Sequence, residues 1–242
     1  MKLTLEHAYP RWLGRLLGIS GASPVIYSTS SKRNIRQAPE IDLAIREVCA
    51  DCNNGWLHDL ERAFRAVMSG PILGLPLTVP MPVEVQLVVA TWAVKTWLLL
   101  EQVWGAMRGG TGASPMKMLQ YMRENNEPPP GTVVWIGAIE IGSRRLRAAI
   151  GSMPVQSPSK PPFGVLGVFT IGSVLFNVYV PAFFGDAPIP KTMYNLGLAA
   201  NPYLIQIWPH EVEEVGWPPE GILPEADLER IWPPGLLTAR DT

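Results

Sequence analysis

The hydrophobic and polar positions of the first seventy residues follow two different periods. Leu3 to Leu5 predicts a short strand that delivers the polar residues Glu6 and His7 to its end, and residues 40–48 alternate closely enough to predict a second strand. An amphipathic helix from about Asn53 to Met68 follows, with Gly70-Pro71 at its end. Its apolar residues recur at helical spacing: Leu57, Leu60, Phe64 and Val67.

The segment between the two predicted strands is polar for most of its length. Residues 11–17 predict a short helix, and residues 18–39, rich in Ser, Gly and Arg, predict a long loop. This loop carries a basic cluster, Lys32, Arg33 and Arg36. A solvated loop and a loop that contacts phosphate groups are both consistent with that cluster.

Two later stretches are apolar enough to raise the question of a membrane. Residues 83–104 predict a long helix, but Lys95 lies near its middle, where a charge is costly in lipid. Residues 164–185 have no charged residue, yet their β-branched side chains and Gly and Pro residues favour core strands. We therefore expect a buried core helix, buried strands and no membrane partner; a membrane-associated protein is the less favoured alternative.

The C-terminal half is dominated by strand patterns. After a Pro-broken linker, the helix at 83–104 and a short helix from Ser114-Pro115 to about Arg123, the residues from about 132 to 208 predict an antiparallel sheet. Hairpins are expected at 132–150 and 165–180, with another strand at 203–208 and a short helix at 224–231. The prediction is an α+β chain with two domains, residues 1–70 and residues 71–242, the second ending in an acidic tail rich in Trp and Pro.

Composition and charge restrict the functional classes only weakly. The 242 residues are 47% hydrophobic and 17% charged, which is typical of a globular protein, and the net charge of -1 predicts no strong non-specific attraction to nucleic acid. Residues 202–242 hold eight acidic and two basic residues, whereas the first 68 hold seven and nine. Two cysteines in one Cys-x-x-Cys pair and an N-terminus without a signal-peptide pattern predict a cytoplasmic protein.

Two short motifs carry the candidate chemistry. The first is Glu6-His7-Ala8-Tyr9-Pro10-Arg11-Trp12-Leu13, and the second is Cys49-Ala50-Asp51-Cys52-Asn53-Asn54-Gly55-Trp56, about forty residues later. In this order they resemble the HNH endonuclease family, in the bacterial and phage type that reads T-x-E-H-x-x-P-x-W-L and then C-x-x-C-N-N-G-W. The resemblance covers residues 3–65 and implies a ββα-metal module at the N-terminus.

The resemblance also implies an activity and the roles of individual residues. It implies a metal-dependent endonuclease that hydrolyses phosphodiester bonds of DNA, with RNA not excluded. His7 is then the general base, and Glu6 and Asn53 are ligands of one divalent cation, with His58 as a further candidate ligand. Mg²⁺ or Mn²⁺ suits such oxygen-rich ligands, and Arg11, Lys32, Arg33 and Arg36 are the candidate nucleic-acid-binding residues.

Each of these residues also has a simpler interpretation. Asn53 suits the N-cap of a helix, and His58 suits a solvated helix face. Cys49 and Cys52 are candidate ligands of a structural zinc ion, but many family members have a second Cys pair upstream, and this sequence contains no other cysteine. Residues 42–47 also lack the Asn or His that orients the base in the family. A catalytically inactive module that binds nucleic acid or protein is therefore the alternative function.

Overall fold

The computed structural model describes residues 3–18, 25–28, 36–37, 43–107, 116–140, 146–150, 164–181, 202–224 and 227. Its helices are α1 (Arg11–Leu17), α2 (Ala50–Cys52), α3 (His58–Ile72), α4 (Val83–Met107) and α5 (Lys117–Asn125). A π-helical turn (Asn53–Leu57) joins α2 to α3. Residues 50–72 are therefore continuously helical, and we refer to them as the site helix.

The strands belong to one large sheet and two small ones. In chain order they are β1 (Leu3–His7), β2 (Val25–Ser28), β3 (Arg36–Gln37), β4 (Ala44–Cys49), β5 (Val79–Pro82), β6 (Val133–Ile139), β7 (Leu146–Ile150), β8 (Gly164–Ile171), β9 (Val174–Pro181), β10 (Leu204–Trp208), β11 (Glu214–Trp217) and β12 (Ile222–Leu223). Helices and mainly antiparallel strands together confirm the predicted α+β class.

The large sheet has eight strands in the order β10-β6-β9-β8-β7-β2-β3, with β12 also paired to β6. Its pairs are antiparallel except for β2 with β7 and β12 with β6. Every residue of β6, β8 and β9 is buried, which explains why these strands read as continuous apolar runs rather than as alternating patterns.

The strand pair β1 and β4 forms its own small antiparallel sheet and leads directly into the site helix. Thr4 pairs with Val48 and Glu6 pairs with Ile45, so β4 has one residue more than β1 between these two pairs. The irregularity falls opposite Leu5, immediately before Glu6 and His7. Such bulges redirect side chains and are common beside functional sites.

Helix α4 lies in the core and connects the two halves of the chain. Trp92 stacks on Phe64 of α3 with ring centroids 3.8 Å apart, and the two rings belong to a buried apolar cluster with residues from both 1–70 and 71–242. By length and composition Val83–Val103 is able to span a membrane, but 72% of this apolar stretch is buried inside the protein. Its burial agrees with the predicted core helix. The division into two domains at residue 70 stays a prediction.

Several local predictions are confirmed and several are wrong. The hairpin of β8 and β9, closed by Gly172-Ser173, is as predicted, but β6 and β7 pair with β9 and β8 instead of with each other. The predicted loop at 18–39 contains β2 and β3, and the predicted linker before α4 contains β5, which pairs with β11. These strands are short. β2 and β5 pair with strands more than 100 residues away in sequence, and β3 pairs with β2.

The predicted end of the site helix is also displaced. The helix continues to Ile72, with Pro71 in its last turn. Both residues are buried, so apolar packing extends the helix beyond Gly70. The predicted short helix at 224–231 lies almost wholly outside the described residues.

Candidate functional site

The start of the site helix, α1 and the end of β1 enclose a cavity of about 720 Å³, which we call the site cavity. It unites the polar ends of elements that are far apart in sequence, because the β1–β4 pairing brings residue 6 next to residue 45. Its lining residues are Leu5, Glu6, His7, Pro10, Arg11, Trp12, Arg15, Asn53, His58, Glu61, Arg62 and Arg65.

Asn53 connects the site helix to β1. Its Nδ2 donates hydrogen bonds to Thr4 Oγ1 at 3.1 Å and to the Leu5 carbonyl oxygen at 3.2 Å. Since both contacts use the amide nitrogen, the Oδ1 atom of Asn53 remains for other partners. Asn53 also opens the π-helical turn, a feature that is frequent at functional sites.

Glu6 is buried beside a buried lysine. The side chain of Lys95, reaching from the middle of α4, is fully buried, and its Nζ lies 3.0 Å from Glu61 Oε1 and 3.6 Å from Glu6 Oε1. Lys95 also lies over the ring of Trp92. Two carboxylates that line the site cavity therefore share one ammonium group, and this pairing offsets the cost of removing the charges from water.

The environment of Glu6 changes its acidity. Burial raises the pKa of the Glu6 carboxyl above its ordinary value, the ammonium of Lys95 lowers it, and the nearby Glu61 carboxylate raises it. Since burial is the largest of these effects, the pKa of Glu6 is raised overall. Lys95 is thus the group that favours the ionised carboxylate at this position.

Four arginines add positive charge to the lining of the site cavity. Arg11 and Arg15 come from α1, and Arg62 and Arg65 come from α3. The Arg65 guanidinium lies 5.5 Å from the ring centroid of Trp12, and Arg62 binds Asp59 at 3.1 Å on the exposed surface. Arginines grouped in this way are suited to bind phosphate oxygens.

Most of the predicted catalytic and metal-binding residues meet at this cavity. His7, Glu6, Asn53 and His58 all line it, as does Arg11. Lys32 and Arg33 lie outside the described residues, and the backbone of Arg36 belongs to β3 at the edge of the large sheet. The second motif is divided, because Asn53 lines the site cavity whereas its Cys pair lines another.

Cys49 and Cys52 line a separate cavity of about 360 Å³ between β4, the site helix and α5. Cys49 Sγ accepts a hydrogen bond from the Cys52 backbone N–H at 3.1 Å, and Arg123 Nη1 donates to Cys52 Sγ at 3.3 Å. Hydrogen bonds from Cys52 lower the pKa of the Cys49 thiol, whereas burial raises the pKa of the Cys52 thiol. Among the described residues, no group of three or more His, Cys, Asp and Glu side chains is placed to hold a metal ion.

Sequence reasoning missed part of the site. The sequence analysis does not name Arg15, Arg62, Arg65, Glu61 or Lys95 as site residues, and the Glu61 carboxylate binds Lys95. The spacing of Arg11 and Arg15, four residues apart, places both on one face of α1 and was an available signal. Lys95 had a signal too, since a lysine within an apolar helix requires a buried partner.

Comparison of the chain with protein-family models, curated proteins and solved structures found no match to any of them. The resemblance to HNH endonucleases therefore depends on the two sequence motifs, and membership of that family stays a prediction. The geometry of the site cavity is an observation independent of these motifs.

Proposed function

We propose that this protein is a metal-dependent endonuclease that hydrolyses phosphodiester bonds of DNA through an N-terminal ββα-metal module. One observation carries the proposal: His7, Glu6 and Asn53 line a single cavity together with four arginines. An imidazole suits the general base, a carboxylate and an amide oxygen suit a divalent cation, and guanidinium groups suit the phosphate charge, so this set of side chains is compatible with phosphodiester hydrolysis. The antiparallel β1–β4 pair followed by the site helix also has the element order of such a module.

His7 is the proposed general base. It is the last residue of β1, and its position is fixed because Asn53 holds the backbone and side chain of the residues just before it. An imidazole nitrogen of His7 accepts a proton from the attacking water, as His commonly does near neutral pH. In this scheme the Asn53 anchor compensates for the orienting residue that residues 42–47 lack.

The donor set of the site cavity fits Mg²⁺ or Mn²⁺. The Oδ1 atom of Asn53 and the carboxylate of Glu6 are hard oxygen donors, and His58 adds a nitrogen at the same cavity. Mg²⁺ usually keeps several waters and binds one or two protein carboxylates together with substrate phosphates, so it does not need three charged protein ligands. When bound, the cation would stabilise the negative charge that develops on the leaving oxygen.

The arginines have a binding role in this proposal. Arg11 and Arg15 on α1 and Arg62 and Arg65 on α3 line the same cavity as His7. Their guanidinium groups bind the phosphates that flank the bond to be cut, and Leu5, about half exposed on the same rim, offers an apolar surface to a base or sugar. This arrangement orients the substrate without reading its sequence.

A second candidate function is nucleic-acid binding without cleavage. The ammonium group of Lys95 already pairs with the Glu6 carboxylate. It therefore competes with a divalent cation for that carboxylate. A module of this kind would bind phosphate through the arginines and leave the backbone of the nucleic acid intact.

Cleavage of supercoiled plasmid by the purified protein distinguishes the two functions. We expect nicking with Mg²⁺ or Mn²⁺, none with EDTA, and a loss of about 10² to 10⁴-fold in rate for His7→Ala. His210→Ala, which changes an exposed histidine outside the cavity, is the matched control and should cut at the native rate. Linear single-stranded DNA and RNA in parallel reactions define the form of the substrate.

The failure of cleavage has a specific reading. If the folded protein shifts labelled DNA in a gel and Arg11→Ala with Arg62→Ala abolishes this shift, but no metal supports cleavage, the binding function replaces the nuclease. If His7→Ala cuts as fast as the native protein, His7 is not the base and the proposed mechanism is wrong.

A further inference from the structure

The cavity at Cys49 and Cys52, which we call the dithiol cavity, has no role in the proposed hydrolysis. It lies between β4, the site helix and α5, and it is mainly apolar. Besides the two cysteines, its lining residues are Val48, Trp56, Leu57, Met116, Leu119, Gln120, Arg123 and Glu124. Because two thiols and one guanidinium group line a mainly apolar cavity, this cavity is a candidate for a separate function.

The two thiols are held together and polarised. The Cys52 backbone N–H donates to Cys49 Sγ at 3.1 Å, and hydrogen bonds from Cys52 lower the pKa of the Cys49 thiol. Arg123, from a different helix, places its Nη1 3.3 Å from Cys52 Sγ. The donor at Cys49 Sγ favours the thiolate of Cys49, which is the reactive form of cysteine, whereas burial favours the protonated thiol at Cys52.

The same contacts disfavour a structural zinc ion. A tetrahedral zinc site needs four ligands, and although Glu124 lines the same cavity, no group of three or more His, Cys, Asp and Glu side chains among the described residues is placed to hold a metal ion. The guanidinium group of Arg123 also occupies a position where it repels a cation. The pair therefore has the surroundings of a reactive dithiol rather than those of a closed metal site.

We propose that Cys49 and Cys52 are a redox-active dithiol that is oxidised by the disulfide of a small thiol compound. Cys49 is only 4% exposed, so a protein disulfide cannot reach it, whereas a small molecule can enter through the dithiol cavity. Arg123 gives this cavity a preference for a disulfide that carries carboxylate groups. The proposal does not depend on the proposed nuclease activity.

The reaction is two successive thiol–disulfide exchanges. The Cys49 thiolate attacks one sulfur of the small disulfide, a mixed disulfide forms on Cys49, and the first small thiolate leaves and takes a proton from water. Cys52 then loses its proton to water and attacks the Cys49 sulfur, so that the Cys49–Cys52 disulfide forms and the second small thiolate leaves. The protein dithiol is oxidised, and one small disulfide is reduced to two thiols.

The test is exposure of the full chain to glutathione disulfide, followed by alkylation of free thiols and mass spectrometry. We expect the native protein to lose two hydrogen atoms in mass and both alkylation sites, and Cys52→Ser to accumulate a glutathione adduct on Cys49. Arg123→Met should react at least about threefold more slowly, because it lacks the charge that stabilises the thiolate. Arg46→Met, which removes an exposed arginine that lines neither cavity, is the control and should react at the native rate.

Two results would overturn the proposal. One is a folded native protein whose two thiols stay free in glutathione disulfide, while the urea-unfolded protein reacts. The other is a zinc ion that copurifies with the chain in stoichiometric amount and protects both thiols, which would show a metal site shared with ligands outside this pair. Thermal melting of each variant verifies that it is folded, and Arg123→Lys, which keeps the charge, should retain the native rate if Arg123→Met proves unstable.

Discussion

The site cavity and the large sheet place their side chains under opposite constraints. Three charged groups are paired at the site cavity, the buried Lys95 and Glu6 and the partly exposed Glu61. The central strands of the sheet bury almost only apolar side chains on both faces, with α4 packed against them. The charge cluster is specific, but it loses stability when one of its partners is removed. The apolar core of the sheet is stable, but it is sensitive to changes in the volume of a buried side chain.

Residue Lys95 belongs to both regions. Its backbone lies in the apolar helix that packs on the sheet, and its ammonium group reaches the carboxylates of the site. Beside this contact, the rings of Phe64 and Trp92 stack on each other, and Lys95 lies over the Trp92 ring. The predictions below separate what charge pairing contributes from what packing contributes.

The largest effect on stability is expected for Lys95→Met. The change keeps most of the side-chain volume but leaves the buried Glu6 carboxylate and the partly exposed Glu61 carboxylate without their cation. Removal of one partner of a buried pair costs about 3 to 5 kcal/mol. Urea unfolding at neutral pH measures the free energy. Arg62→Met removes an ion pair whose side chains are 76% and 64% exposed, and it should cost less than about 1 kcal/mol. Equal costs for the two variants would contradict the importance of burial.

A packing change in the sheet should have a smaller effect. A methyl group at Gly167 of β8 would collide with the indole ring of Trp97 from α4, and overpacking of this kind costs about 1 to 3 kcal/mol. Gly216→Ala is the control, because a methyl group there meets no atom within 4 Å. Thermal melting should show a lower midpoint for Gly167→Ala alone. A native midpoint would mean that α4 can move away from the sheet.

The smallest effect is a change in the pH dependence of stability. Because burial raises the pKa of Glu6 above 4.5, the folded state holds this proton more tightly than the unfolded chain does. The stabilising contribution of the protonated carboxyl is complete below pH 4.5 and is lost as the pH rises through the folded-state pKa. Glutamine has no proton to lose, so the stability of Glu6→Gln relative to the native protein should increase between pH 4.5 and neutrality.

Urea unfolding of Glu6→Gln and the native protein across this range measures the difference. Glu140→Gln, a substitution at an exposed position, is the comparison variant. A difference between Glu6→Gln and the native protein that stays constant with pH, or that decreases towards neutrality, would show that pairing with Lys95 outweighs burial at Glu6.

The sequence determined the elements whose patterns are local. Helix α1 has the predicted bounds, β1 ends at Glu6 and His7, and the site helix and α4 lie where the periodic apolar residues indicate. The hairpin of β8 and β9 followed from two apolar runs separated by Gly172-Ser173. In each case the signal lies within one element or its turn, so neighbouring residues are sufficient to specify it.

The sequence also indicated part of the candidate site. The motifs around Glu6-His7 and Asn53 named residues that line one cavity, because side chains at the end of one strand and the start of the following helix are brought together by a single strand pairing. The assignment of a nuclease activity to them stays a proposal.

The tertiary structure alone decided which strands pair and which charges meet. The pairing of β2 with β7 and of β5 with β11 joins segments more than 100 residues apart, and no local pattern encodes such partners. The contact of Lys95 with Glu6 and Glu61 crosses from α4 to β1 and α3. A charged residue within an apolar helix indicates that a buried partner is needed. Only the packing of the helices determines which carboxylate is that partner.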